Sequence, residues 1–188
     1  MKKILTSLVA VLALIMVTSC SSSKQPTTAA SQAEELNLPT WVLEGKRDNT
    51  GIYAVGSGKL SNLTNSLKMA KAQARVELAT TVKANVQAVT QTLVDDQGAQ
   101  GDRQDLEALT ENALIRVDTV LQGSEQVDQY IAKDGAVYVL MYLPYSTLVT
   151  ELNKNLEESK TTFSRTSSAT YTEEKMAEAY EKYFSQNK

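Results

Sequence analysis

The chain has 188 residues, a formal net charge of −3 and no histidine. A Ser-His-Asp triad, a Cys-His nucleophile and an HExxH zinc site are therefore excluded, since each needs an imidazole. A mildly acidic chain also lacks the basic footprint of a nucleic-acid binder, so no nucleic acid is expected as a partner.

Lys2 and Lys3 precede an apolar run, Ile4 to Val17, broken only by Thr6 and Ser7. It is shorter than the ~20 residues of a membrane span and suits a signal-peptide core. The run ends in Val17-Thr18-Ser19-Cys20, the pattern of a lipobox. Cleavage is expected between Ser19 and Cys20, with a diacylglyceryl group on the Cys20 sulfur and an acyl chain such as palmitate on its amine. Cys20 is the only cysteine, so it has no internal disulfide partner, and lipidation accounts for it. Each buried methylene contributes about 0.8 kcal/mol, so two or more chains anchor stably where one does not. Residues 1–19 are read as the signal peptide, and their loss takes two lysines and leaves a charge of −5. Ser21 follows the cysteine, where Asp would signal inner-membrane retention. In a Gram-negative cell this favours the outer membrane, with the protein facing the periplasm.

Residues 20–37 are rich in Ser, Thr, Ala and Gln, include Pro26, and read as a flexible tether. The folded part opens at Leu38-Pro39-Thr40-Trp41-Val42. Trp41 is expected at the edge of the core, with ligand stacking as the alternative. Residues 44–51 read as a polar turn. Ile52 to Gly58 reads as a strand ending in glycines. Gly56 and Gly58 would let a ligand approach the backbone, but the wider motifs fail. No third glycine stands at the dinucleotide spacing, and a phosphate loop would need residues other than Tyr53 and Leu60. A tight exit from strand to helix is the plainer reading.

Ser61 to Val94 shows apolar residues at steps of three and four, from Leu63 through Ala70, Leu78 and Val86 to Leu93. That predicts one long helix with Ser61 as its cap, about 50 Å long if unbroken, with a kink or frayed end near Thr80-Thr81 or Thr90–Thr92. Its distal end is a candidate contact for a homo-oligomer. Residues 95–102 form an acidic, glycine-punctuated loop, but the order of its acids does not match an EF-hand. Asp102 to Leu121 predicts a second helix, antiparallel to the first, with Leu106, Leu109, Ala113, Val117 and Val120 inward. Ser124–Lys133 and Ala136–Pro144 predict strands joined through Asp134-Gly135, a type I′ hairpin signal. In the first strand Val127, Gln129 and Ile131 share a face. The second is almost wholly apolar, as a central strand would be. Ser146–Ser159 predicts a third helix, and Thr161–Thr172 a Ser/Thr-rich linker. Glu173–Gln186 predicts a final helix with Met176, Tyr180, Tyr183 and Phe184 on one face and two glutamates in its first turn. That helix either folds back on the domain or offers its aromatic face to a partner. The fold expected is α+β: a short antiparallel sheet of about three strands packed on a long helix pair, with C-terminal helices. The domain spans residues 38–160, and residues 161–188 form a linker and helix.

The lipobox, the Pro-x-Trp start, Tyr53–Gly58, the alanine-rich helix with Ala70, Ala74-Arg75 and Leu78-Ala79, then Leu121–Gly123 and Asp134–Leu140 follow one another in a recognisable order. Together they resemble the LPP-twenty family of bacterial lipoproteins over roughly residues 39–150. The same domain is similar to the N-terminal domain of flagellar assembly protein T. The resemblance implies an α+β domain and no catalytic residues. The residues from Thr161 onward lie outside it.

Three functions compete on these grounds. The first is a non-enzymatic, lipid-anchored envelope lipoprotein that scaffolds or binds envelope components, with an envelope protein as partner. The second is a small-ligand binder using Trp41, Gly56, Gly58 and the tyrosines Tyr130, Tyr138 and Tyr142. The third is an enzyme working through paired carboxylates. It is disfavoured because most acids fall on helix surfaces or loops rather than across a cleft. No metal set and no cofactor motif stands out.

Overall fold

The computed structural model describes residue 33 and residues 36–97, 103–159 and 167–186. Chain order is helix α1 (Thr40–Glu44), strand β1 (Gly51–Gly58), helix α2 (Leu63–Gln97), helix α3 (Arg103–Ile115) and a short helix α4 (Val117–Val120). A 3-10 turn (Leu121–Gly123) leads to strands β2 (Glu125–Ile131) and β3 (Val137–Pro144), then helices α5 (Tyr145–Ser159) and α6 (Ser167–Gln186). The three strands form one antiparallel sheet in the order β1-β3-β2. The α+β class is as expected, and the almost wholly apolar strand is the central one.

Strand periodicity decides which side chains meet α2. Ile52, Ala54, Gly56 and Gly58 of β1 pair with Leu143, Met141, Val139 and Val137 of β3. All eight are buried. Opposite them runs the stripe Ala70, Ala74, Leu78, Val82 and Val86, each 0 % exposed. Each fully buried Val, Leu, Ile or Met side chain contributes roughly 1.5–3 kcal/mol, so the larger side chains of this seam add substantially to stability. The glycines set its spacing. A Cβ on Gly56 would fall on the carbonyl oxygen of Ala70 and the backbone nitrogen of Ala74, and one on Gly58 on the carbonyl oxygen of Ser66.

Several expectations about α2 are corrected. Leu63 is 53 % exposed, and Ser66 takes the inward position below Ala70. The Ser66 hydroxyl oxygen accepts from the Leu60 N–H at 2.9 Å and closes the turn out of β1. A polar residue with that task is invisible to a count of apolar spacing. The cap is Asn62 rather than Ser61, since Asn62 Oδ1 accepts from the Asn65 N–H at 3.2 Å. The helix is continuous through the threonines, from Leu63 to Gln97. Thr80, Thr90 and Thr92 turn their hydroxyls back onto the carbonyls of Val76, Val86 and Ala88, so each is satisfied within the continuous helix.

The distal half of α2 packs against α3 in antiparallel fashion, and Thr90 Oγ1 meets Thr110 Oγ1 at 2.8 Å. The expected second helix is not continuous. It breaks at Arg116, whose φ of −92° and ψ of 9° leave the helical region. The Arg116 guanidinium is ion-paired with Glu158 of α5. The five predicted core residues of this segment are nonetheless all buried.

The β2–β3 connection differs from the expected type I′ turn. That turn needs positive φ at both central residues, and here only Gly135 has it, at 83°. The Gly135 N–H donates to the Ala132 carbonyl and the Ala132 N–H to the Ala136 carbonyl. The loop is a three-residue hairpin, Lys133 to Gly135, with glycine in the left-handed position. Strand β2 carries a bulge between Gln126 and Asp128. Its Val127 and Ile131 are 44 % and 46 % exposed, because α2 covers β1 and β3 while β2 overhangs as an edge. The side chains of Val127 and Ile131 are therefore not part of the core.

Helix α6 starts at Ser167, well before the expected Glu173. Glu173 is thus interior to the helix, where it is buried. Met176, Tyr180 and Phe184 are buried against α2, α3 and α5. Of the two alternatives for this helix, it takes the folded-back one.

Candidate functional site

The other face of the sheet is tyrosine-rich. Tyr53 of β1 pairs with Tyr142 of β3, and the rings stack with centroids 4.6 Å apart. Tyr138 pairs with Tyr130 of β2 on this same face. The Tyr130 hydroxyl donates to the Asn37 carbonyl at 2.7 Å. Helix α1 packs against β3, and Trp41 is partly buried there. Packing reaches back into the expected tether, since Ala33 is buried and accepts from the Leu38 N–H.

The sequence candidates therefore divide. Tyr138 and Tyr142 share the outer face, whereas Gly56 and Gly58 point the opposite way into the α2 seam. The structure does not gather them into one site. Ser19 and Cys20 lie outside the described residues.

A different place gathers polar groups. A cleft of about 540 Å³ opens where residues 44–53 pass Thr81 and Asn85 of α2, Tyr145 of α5 and Tyr183 of α6. Asp48 organises its wall. Its Oδ1 accepts from the Thr50 hydroxyl at 2.6 Å and from the Thr50 N–H at 2.9 Å. Its Oδ2 accepts from the Tyr53 hydroxyl at 2.7 Å. The Tyr142 hydroxyl donates to Thr50 Oγ1 at 2.9 Å, and the Tyr145 N–H donates to the Thr50 carbonyl. The hydrogen bonds from Thr50 and Tyr53, with lesser help from the Lys46 charge, pull the Asp48 carboxyl down to about 2. Lys46 lies 4.0 Å from Asp48 Oδ2 and 4.7 Å from the Tyr53 ring centroid. Burial pushes the Tyr145 hydroxyl up, and the nearby Tyr183, Asp48 and Tyr142 add to that.

A smaller hollow of about 380 Å³ lies between α2 and α4, walled by Arg75, Ala79, Asp118 and Gln122 among others. No group of three or more potential metal ligands occurs among the described residues. No helix of the described residues is long and apolar enough to cross a membrane. In the sequence the Asp48 wall reads only as a polar turn. One signal was present: aspartate two residues before threonine is the spacing of an Asx turn, which fixes a loop rather than leaving it loose.

A three-stranded antiparallel sheet packed on one long helix makes this an α+β domain. The family model for the LPP20 lipoprotein matches residues 39–143, and the chain belongs to that family. A comparison with curated proteins gave no match. The matched span runs from just before α1 into the end of β3, so it contains the α2 seam and the whole sheet but neither α5 nor α6.

Proposed function

We propose that the chain is a non-enzymatic lipoprotein held at the outer membrane, facing the periplasm, through lipid on Cys20. There it scaffolds or binds other envelope components. One observation carries the reading: a domain of the LPP20 lipoprotein family begins at residue 39, shortly after the Val17–Cys20 lipobox. The acyl chains would supply membrane attachment.

Two measurements test it. The intact mass of the mature protein extracted from membranes should show a chain starting at Cys20 with diacylglyceryl and acyl additions. Cys20→Ser should abolish those additions and release the protein from the membrane fraction. Crosslinking in intact cells should then recover a reproducible envelope partner. An unlipidated mature chain that floats free of membranes, or no partner in repeated crosslinking, overturns the reading.

A further inference from the structure

We propose that the cleft beside Asp48 binds a small zwitterion of the amino-acid or short-peptide class, with Arg47 holding its carboxylate and Glu44 its ammonium group. This goes beyond the anchoring role and does not depend on it. The cleft, at about 540 Å³, lies within the range of roughly 300–1,000 Å³ usual for small-molecule sites. Four separate stretches of chain form it, so it is a product of the tertiary fold.

The ligand class follows from which charges are already committed. Four ionised side chains line the cleft: Glu44, Lys46, Arg47 and Asp48. Asp48 is taken up by Thr50 and Tyr53, and Lys46 is held between Asp48 and the Tyr53 ring. Glu44 and Arg47 have no ion pair or side-chain hydrogen bond among the described residues. One spare anion and one spare cation remain. A singly charged ligand would answer one and leave the other facing it, whereas a zwitterion answers both. Arginine's planar fork matches a carboxylate with two parallel hydrogen bonds, which a lysine could not supply.

The uncharged lining fits the same class. Thr81 and Asn85 project from α2 into the cleft and offer donors and acceptors suited to a peptide group. The Tyr145 hydroxyl is held protonated and has no hydrogen-bond partner among the described residues. It is therefore available as a neutral donor and adds no negative charge that would repel a carboxylate. Its ring stays packed on Phe184, with centroids 5.5 Å apart.

The test is a calorimetric titration of the protein as purified from its membranes or cell extract, in detergent and whether or not it carries lipid, with L-alanyl-L-alanine, its N-acetyl derivative and its C-terminal amide. The cleft is open, so a dissociation constant on the order of 1 mM is expected for the free dipeptide. Capping either end should weaken binding several-fold. Arg47→Gln should erase the preference for the acid over the amide, and Glu44→Gln the preference for the amine over the acetyl form. Both side chains are exposed, so circular dichroism should be unchanged in each variant. Tyr145→Phe keeps the ring packing and should weaken the dipeptide a few-fold. Absence of binding at millimolar dipeptide, equal binding of all three compounds, or full discrimination retained in either charge variant overturns the proposal. None of these outcomes bears on the lipid at Cys20, which the intact mass reads separately.

Discussion

Tyr53 stacks on Tyr142, and their hydroxyls donate to neighbouring acceptors, Asp48 Oδ2 and Thr50 Oγ1. The pair thereby ties the outer face of the sheet to the loop that precedes β1. Asp48 is the hinge of that tie, because the Thr50 hydroxyl, the Thr50 N–H and the Tyr53 hydroxyl all converge on its carboxylate.

The first prediction is a pH dependence. Asp48 titrates at about 2 in the folded chain, below the ordinary value of 3.8. A lowered carboxylate pKa contributes stability above the unfolded value, and the contribution is lost as pH falls through the folded value. The contribution should thus be intact at pH 5 and decline between about 4 and 2. Tyr53→Phe removes one donor and should move the Asp48 midpoint back towards 3.8. Carboxyl-carbon NMR titration reads the midpoint directly. An unchanged midpoint in Tyr53→Phe would show that this hydrogen bond does not hold the charge.

The second concerns the seam. At Gly56 an added Cβ meets backbone atoms of Ala70 and Ala74, which cannot move without displacing α2. Gly56→Ala should cost about 3 kcal/mol or more, at the upper end of what overpacking does. Gly135→Ala is the contrast. It has open space around it but a φ of 83°, so it should cost only about 1 kcal/mol of backbone strain. Urea unfolding of the two variants separates steric from conformational cost.

The seam also shows what was legible without coordinates. Ala70, Ala74, Leu78, Val82, Val86 and Val89 are all buried as their spacing predicts, because one helix face must repeat every 3.6 residues wherever it meets a flat sheet. The central strand was legible for the same reason, being apolar on both faces. The misses lie where a residue acts through geometry that pattern does not encode. Ser66 occupies an apolar row through its hydroxyl, and Arg116 breaks a helix whose apolar spacing runs straight through it. Alternation alone does not say which face of β2 is covered, and Ile131 stays exposed on a strand that the long helix does not reach. The cleft was hidden because Arg47, Asn85 and Tyr145 are far apart in sequence and carry no common motif. The aromatic set of α6 was legible, but its choice between docking and display depends on surfaces supplied by α2, α3 and α5.

A third prediction follows from that overhang. Ile131 is 46 % exposed at the sheet edge, whereas Val139, two positions past its β3 partner Val137, is 0 % exposed. Ile131→Thr should change stability by no more than about 0.5 kcal/mol, and Val139→Ala should cost about 2 kcal/mol. Equal losses at the two positions would mean that β2 is covered by something else in the folded chain.

The last prediction concerns the orphan hydroxyl under α6. Tyr180 is fully buried, and its hydroxyl has no hydrogen-bond partner among the described residues. Burial alone pushes its ionisation far above the usual tyrosine range, so the group stays neutral at any ordinary pH. A neutral hydroxyl stripped of water and given no partner still carries a desolvation cost of about 1–3 kcal/mol. Tyr180→Phe removes the oxygen while keeping the ring that packs with Met176 and Phe184. The variant should be more stable by about 1 kcal/mol, part of the gain being offset by the small void left behind. Phe184→Ala, by contrast, removes a ring that is 1 % exposed and touches Tyr145 and Tyr183, and should cost about 3–5 kcal/mol. Urea midpoints with an unchanged m-value read both. A loss of stability in Tyr180→Phe would mean that the hydroxyl is satisfied in solution, with a buried water as the natural partner.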